Sequence, residues 1–141
     1  MRLTLLSAQD LRTALPMPAA IAAMKAAYAE LSAGRANVPL RTSLAVPDQS
    51  GVSLFMPAYL ASGGLGVKIV SVFPHNPDRG NPIIHGLVVV LEPETGEPTA
   101  LCDGTFLTAW RTGAAAGAAA DLLARPDAKT AALIGCGSVG R

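Results

Sequence analysis

The sequence predicts an α+β body, helices packed on a mixed sheet, that leads into the first strand and glycine turn of a separate α/β unit. Three observations carry this. Apolar residues recur at helical spacing in the first third. Runs rich in β-branched and aliphatic residues, separated by Gly, Pro, Asn and Asp, fill the middle. An Ala-rich helix then precedes a short strand that ends in Gly135-Cys136-Gly137-Ser138-Val139-Gly140.

Ser7 caps a helix expected over 8–15, with Asp10 at the capping-box distance in place of the usual Glu. Pro16 and Pro18 punctuate the chain. From 17 to 31, Met17, Ile21, Met24, Tyr28 and Leu31 fall four, three, four and three apart, which marks one face of a second helix that stops at Gly34. Strands are expected over 39–47, 52–60, 65–73 and 83–92, and a polar turn at 93–98 joins the last to an extended segment at 99–102 as a hairpin. A helix over 105–124 carries Gly113 and Gly117. Glycine inside a helix costs roughly 1 kcal/mol relative to alanine, so this pair points to close backbone approach. Arg125-Pro126-Asp127-Ala128-Lys129 is a polar break, which divides the chain into a domain at 1–125 and the start of another at 130–141.

Half of the 141 residues are hydrophobic, enough for the core of one ordinary domain. The net charge of +1 comes from 11 basic and 10 acidic residues without a block, so nucleic acid is not an expected partner. Apolar runs such as 87–91 fall far short of the roughly 20 residues of a membrane helix. Gln9, Asp10 and Arg12 interrupt the apolar start before signal length. A cytoplasmic protein without a membrane partner is expected. Cys102 and Cys136 provide no disulfide framework, and neither has metal-ligand spacing with His75 or His85, so no metal site is expected.

Several residues stand where packing alone would not put them. Alternation over 65–73 places Lys68 with Val70 and Val72, opposite Val67, Ile69, Ser71 and Phe73. An ammonium on a semi-apolar face must find an anion, lose its proton or snorkel to water. Arg111 shares a helix face with Leu107, Ala114, Ala115, Ala118 and Leu122, where it needs either a bound carboxylate or phosphate or an internal partner such as Asp103 or Glu92. Arg41, at the entry to a strand, reads alone as a surface charge. The loop at 74–82 leaves the Lys68 strand and carries hydrogen-bonding side chains suited either to a site wall or to a connector. His85 reads as a strand histidine without chemistry. In the terminal glycine turn, the first glycine permits the turn, the second lets backbone approach a pyrophosphate and the third lets helix pack on strand.

Pro39-Leu40-Arg41, Met56-Pro57-Ala58, Gly66-Val67-Lys68, the 74–82 loop, Thr95-Gly96-Glu97-Pro98, Leu107-Thr108-Ala109-Trp110-Arg111-Thr112 and Ile134-Gly135-Cys136-Gly137 together resemble the ornithine cyclodeaminase and mu-crystallin family. The resemblance implies a substrate domain that forms a homodimer through its sheet, followed by a Rossmann domain that binds NAD or NADP, here incomplete. It implies that Arg41, Lys68 and Arg111 bind the carboxylate of a small amino or imino acid, with Lys68 also catalytic in proton transfer. Thr112, Gly135, Gly137, Ser138, Val139 and Gly140 are expected to contact the cofactor phosphates. The ornithine-using branch has an acidic residue three positions before the Met-Pro pair, where this chain has Ser53. The implied activity is therefore hydride chemistry at the α-carbon of a small amino or imino acid, as in alanine dehydrogenases or cyclic imino acid reductases. Ornithine cyclodeamination and non-catalytic binding of NAD(P) and a ligand are the alternatives. The 141 residues alone, without the helix that follows the glycine turn, are expected to be inactive.

Overall fold

Ser7 starts the first helix as its sequence predicts. Its hydroxyl oxygen accepts from the Asp10 backbone N–H, and the Asp10 carboxylate accepts from the Ser7 N–H, which closes the capping box. The computed structural model describes residues 2–135 together with Gly137 and Val139. Helix α1 (Ala8–Ala14) and helix α2 (Met17–Ser32) are joined at Pro16, which precedes the first turn of α2 and cannot continue α1. Gly34, at φ +70°, then reverses the chain.

The remaining elements are strands and one long helix. Strand β1 (Thr4–Leu6) precedes α1; β2 (Ala36–Asn37), β3 (Thr42–Val46), β4 (Gly51–Leu60), β5 (Gly64–Val72), β6 (Ile84–Leu91) and β7 (Pro98–Asp103) follow α2, and α3 (Gly104–Leu123) comes last. They form one seven-stranded sheet in the order β1-β7-β6-β5-β4-β2, with β3 also paired to β4. Among the described residues, only β1–β7 is a parallel pair, so the sheet is mixed, as expected. Among the described residues, no helix is long and apolar enough to cross a membrane.

Several differences from the sequence reading concern strands. The 39–41 segment stays outside the sheet, and the strand expected there begins at Thr42. β1 was not foreseen, because its three residues pair with a strand nearly 100 positions away. The strand expected at 130–134 makes no ladder with the described residues, and Leu133 and Ile134 are exposed. A strand is defined by its partner, and these residues have none there.

Small residues bring the helices onto the sheet. A Cβ on Gly104 would lie 2.5 Å from the Leu87 nitrogen, and one on Gly86 would lie 2.7 Å from the Gly104 carbonyl carbon. The start of α3 therefore rests directly on β6 backbone. Further along, a Cβ on Gly117 would lie 2.8 Å from Ile21 Cδ1 of α2, which accounts for that helical glycine. Among the described residues, the buried hydrophobic side chains are few and mostly small: Leu11, Ala20, Cys102, Ala114 and Ala118. On the sheet face away from α3, Leu44, Tyr59 and Leu87 remain 57%, 42% and 39% exposed.

Candidate functional site

Strand parity decides what shares a surface with Lys68. In the β4–β5–β6 register Lys68 pairs with Met56 and Val88, Val70 with Leu54 and Gly86, and Ser71 with Ser53 and His85. Side chains alternate between faces with a period of two. Lys68 therefore shares its face with Leu54, Met56, Val70 and Val88, as the alternation predicts. Gly86 belongs to that face, and its missing Cβ points at the Gly104–Thr105 backbone. Helix α3, with Arg111, thus packs on the Lys68 side.

Arg41 immediately precedes β3, whose Thr42 pairs with Phe55. One more step in this register leads to Met56, the cross-strand neighbour of Lys68. Both arginines bear on the lysine. Burial first, then the positive charges of Arg111 and Arg41, hold the Lys68 pKa below its ordinary value. Lys68 opens onto a cavity of about 340 Å³ with Met56, Ala58, Gly66, Val88 and Val90.

No ion pair among the described residues includes Arg41, Lys68 or Arg111. Of the internal partners considered for Arg111, the Asp103 carboxylate accepts from the Phe106 N–H as the cap of α3, and neither Asp103 nor Glu92 forms an ion pair with Arg111 among the described residues. Arg111 itself is exposed, although Ala114 and Ala118 on the face predicted for it are buried. Three cations thus act on one apolar surface without a carboxylate partner.

Ser53 lies on the other face. Its hydroxyl is 2.8 Å from that of Ser71, across β4 and β5. The sequence comparison of that position with a site acid therefore selects the wrong strand parity: Leu54, two positions before Met56, shares the Lys68 face. His85, paired with Ser71, is also on the Ser53 face.

The 74–82 loop is held mostly by its own groups. Asn76 Nδ2 donates to the Pro82 carbonyl, Arg79 donates to Gln49, and His75 stands 3.8 Å from Asp78 at the surface. At its end, Pro82 joins Val70, Gly86, Thr105, Thr108 and Val139 around a second cavity of about 410 Å³. Cys102 is buried on the Lys68 side, and burial raises its pKa. No three-residue His, Cys, Asp or Glu group that could hold a metal occurs among the described residues.

Of the expected cofactor residues, Gly135 has φ +93°, a left-handed conformation that suits the first glycine of a phosphate turn. Gly137 leaves open space for an approaching group. Val139 reaches α3, with its carbonyl 3.3 Å from where a Gly113 Cβ would stand. Ser138 and Gly140 lie outside the described residues. The Thr112 hydroxyl donates to the Thr108 carbonyl at 2.6 Å, so in this rotamer it retains only acceptor capacity.

A cluster that the sequence motifs mark only at Trp110 joins this helix to α1. The Trp110 indole N–H donates to the Leu15 carbonyl at 2.8 Å, and its ring stacks on Phe106 with centroids 5.2 Å apart. Arg12 of α1 lies over both rings. The i, i+4 aromatic pair was the available sequence signal.

Comparison with known proteins gives matches in both sequence and fold. The model of the ornithine cyclodeaminase/mu-crystallin family matches residues 1–141. A Bacillus cereus Δ1-pyrroline-2-carboxylate reductase is 42% identical over 134 residues, 94% of this chain and 41% of that protein. The structure of the Thermococcus litoralis Δ1-pyrroline-2-carboxylate reductase with NADH and L-proline superposes with a TM-score of 0.80 at 44% identity, covering 89% of this chain and 39% of that one. An archaeal alanine dehydrogenase dimer with bound NAD superposes at 0.87 with 36% identity, covering 99% of this chain and 42% of its own. The chain spans about two fifths of the length of these relatives. A match along the whole chain, in sequence and in fold, places it in the ornithine cyclodeaminase/mu-crystallin family.

Proposed function

We propose that this chain supplies the substrate side of an NAD- or NADP-dependent enzyme that moves a hydride at the α-carbon of a small amino or imino acid, with Δ1-pyrroline-2-carboxylate and L-proline as the favoured pair. The observation that carries this reading is the set of Arg41, Lys68 and Arg111 acting on one apolar surface with no ion-pair partner among the described residues. Such a set is self-repelling until an anion arrives. A carboxylate answers both arginines, whose forks hold it in a fixed plane. Lys68, drawn toward its neutral form, then exchanges a proton at the adjacent amino or imino nitrogen.

A bound nicotinamide supplies or accepts the hydride. The left-handed Gly135, the open space at Gly137 and the close approach of Gly113 to Val139 fit a dinucleotide phosphate turn. We accordingly assign 1–125 to the substrate and dimerisation domain and 130–141 to the start of a Rossmann domain. The half-exposed Leu44, Tyr59 and Leu87 on the sheet face away from α3 support pairing of two copies through that face, in a cytoplasmic homodimer.

The wall around Lys68 favours an apolar substrate. Leu54, Met56, Ala58 and Val88 offer no acid to a distal ammonium. This favours a cyclic or short aliphatic substrate over ornithine. The test pairs L-proline binding to the chain with NADH- and NADPH-dependent reduction of Δ1-pyrroline-2-carboxylate by a form carrying the remaining length found in its relatives. Binding weakened by Arg41→Met, Lys68→Met and Arg111→Met, with net oxidation of the reduced cofactor, is the expected result. Unchanged proline affinity in all three variants refutes the site. Ammonia release from ornithine without net cofactor change indicates cyclodeamination, and ligand binding without turnover indicates a carrier.

A further inference from the structure

Arg12 lies on α1, outside every motif that marks the candidate site. Its guanidinium carbon is 5.1 Å from the centroid of Phe106 and 5.2 Å from that of Trp110. The indole cannot swing away freely, because its N–H is held by the Leu15 carbonyl. Aromatic faces orient a guanidinium and attract its charge, yet they leave its N–H edge available to an acceptor. No ion pair among the described residues includes Arg12.

The surroundings point to the acceptor. Arg12, Met17, Phe106, Trp110, Gly113 and Val139 line a cavity of about 220 Å³. Phe106, Trp110 and Gly113 form one stripe along α3 at i, i+4 and i+7. Gly113, with no side chain, lets the Val139 carbonyl of the glycine turn come close to the end of that stripe. The other side-chain N–H of the lining, that of Trp110, is committed to the Leu15 carbonyl. A phosphate entering here needs a donor from another element.

We propose that Arg12 is that donor, a phosphate-binding residue for the dinucleotide, aimed by stacking on Phe106 and Trp110. The inference rests on the cofactor reading above and extends it to a helix that no nucleotide motif includes. The planar fork offers two parallel N–H groups to phosphate oxygens. The stacked rings lower the conformational freedom that binding would otherwise remove.

Trp110, the single tryptophan of these 141 residues, stands beside Arg12 and serves as a probe. NADH is titrated into wild type, Arg12→Met and Arg12→Lys, each in the form that carries the remaining length found in its relatives, while energy transfer from tryptophan to the reduced nicotinamide is followed. Affinity comes from the titration midpoint, so altered indole brightness does not affect it. Loss of a charge-assisted hydrogen bond predicts binding about tenfold weaker in Arg12→Met. Arg12→Lys recovers part of the loss, because it keeps the charge and loses the fork. The salt dependence of NADH affinity is shallower in Arg12→Met than in wild type, which a purely structural clip would not produce. Thermal melts establish that each variant is folded at the assay temperature, and Arg12→Lys decides the matter if Arg12→Met is not. Equal NADH affinity in wild type and folded Arg12 variants overturns this inference alone, leaving Arg12 as a clip between α1 and α3. Absence of NADH binding by wild type overturns the cofactor reading together with it.

Discussion

Replacing Lys68 by methionine should move ligand affinity and fold stability in opposite directions. The methionine stem keeps the packing against Met56, Val70 and Val88, while the ammonium disappears from a half-buried position flanked by two guanidinium charges. On the ligand side, one charge-assisted contact to the substrate is lost, worth about 1.5–3 kcal/mol, so L-proline should bind roughly 10- to 100-fold more weakly. On the stability side, desolvation and repulsion are relieved; discounted for solvent screening at this partly exposed site, the gain is about 1 kcal/mol. For a chain of this size that corresponds to a melting temperature about 4 °C higher. Lys68 titrates below 10.5 in the folded state, so between its folded and unfolded pKa the unfolded chain holds more protons, and wild-type stability rises with pH across that alkaline window. The rise attributable to Lys68 should be missing in Lys68→Met. Calorimetric titration with proline and urea melts across the window measure both effects. A variant that melts lower and binds proline as tightly as wild type refutes the reasoning.

Gly104→Ala should destabilise by about 1–3 kcal/mol, because its Cβ would meet β6 backbone on two sides, and the helix-propensity gain of roughly 1 kcal/mol cannot offset this. Gly117→Ala should stay within about 1 kcal/mol of wild type, since its new Cβ meets only the flexible end of Ile21; urea melts that rank the pair in the reverse order would refute the packing described here. Leu54→Glu should raise the Lys68 pKa by placing a carboxylate on its face, whereas Ser53→Glu should leave it nearly unchanged. NMR titration of the lysine side chain separates the two, and equal shifts would overturn the face assignment.

Legibility followed the range of the interactions involved. The Ser7–Asp10 capping box and the Gly34 reversal are local, and the sequence shows them directly. The Lys68 alternation is also local, because strand parity depends only on its own backbone. What depended on a distant partner was hidden. β1 exists through its pairing with β7, and the Trp110–Leu15 hydrogen bond joins residues 95 positions apart. Ser53 shows a subtler limit: an offset of three from Met56 places a strand residue on the opposite face. Gly113 and Gly117 are equivalent by spacing, yet one faces the glycine turn and the other faces Ile21. Only the assembled structure separates those roles.

The treatment of charge elsewhere in the chain gives the cation set its meaning. Lys25 of α2 is paired with Asp121 of α3, Arg125 lies 3.5 Å from Asp127, and the Glu30 carboxylate accepts the Ser62 N–H. Ten acidic residues stand against eleven basic ones, so partners were not scarce. A single acidic substitution at Leu54 would set a carboxylate on the Lys68 face and relieve the repulsion there. A fold selected for stability alone would gain from that change, because the buried core is built of small side chains and has little surplus to offset an unfavourable surface. An acid at Leu54 would also fill the place of an incoming carboxylate and neutralise the arginines that hold it. On the proposed function, the unfavourable electrostatics of the free protein and affinity for an anionic substrate would be two consequences of one arrangement, and Lys68→Met and Leu54→Glu should each exchange the second for relief of the first.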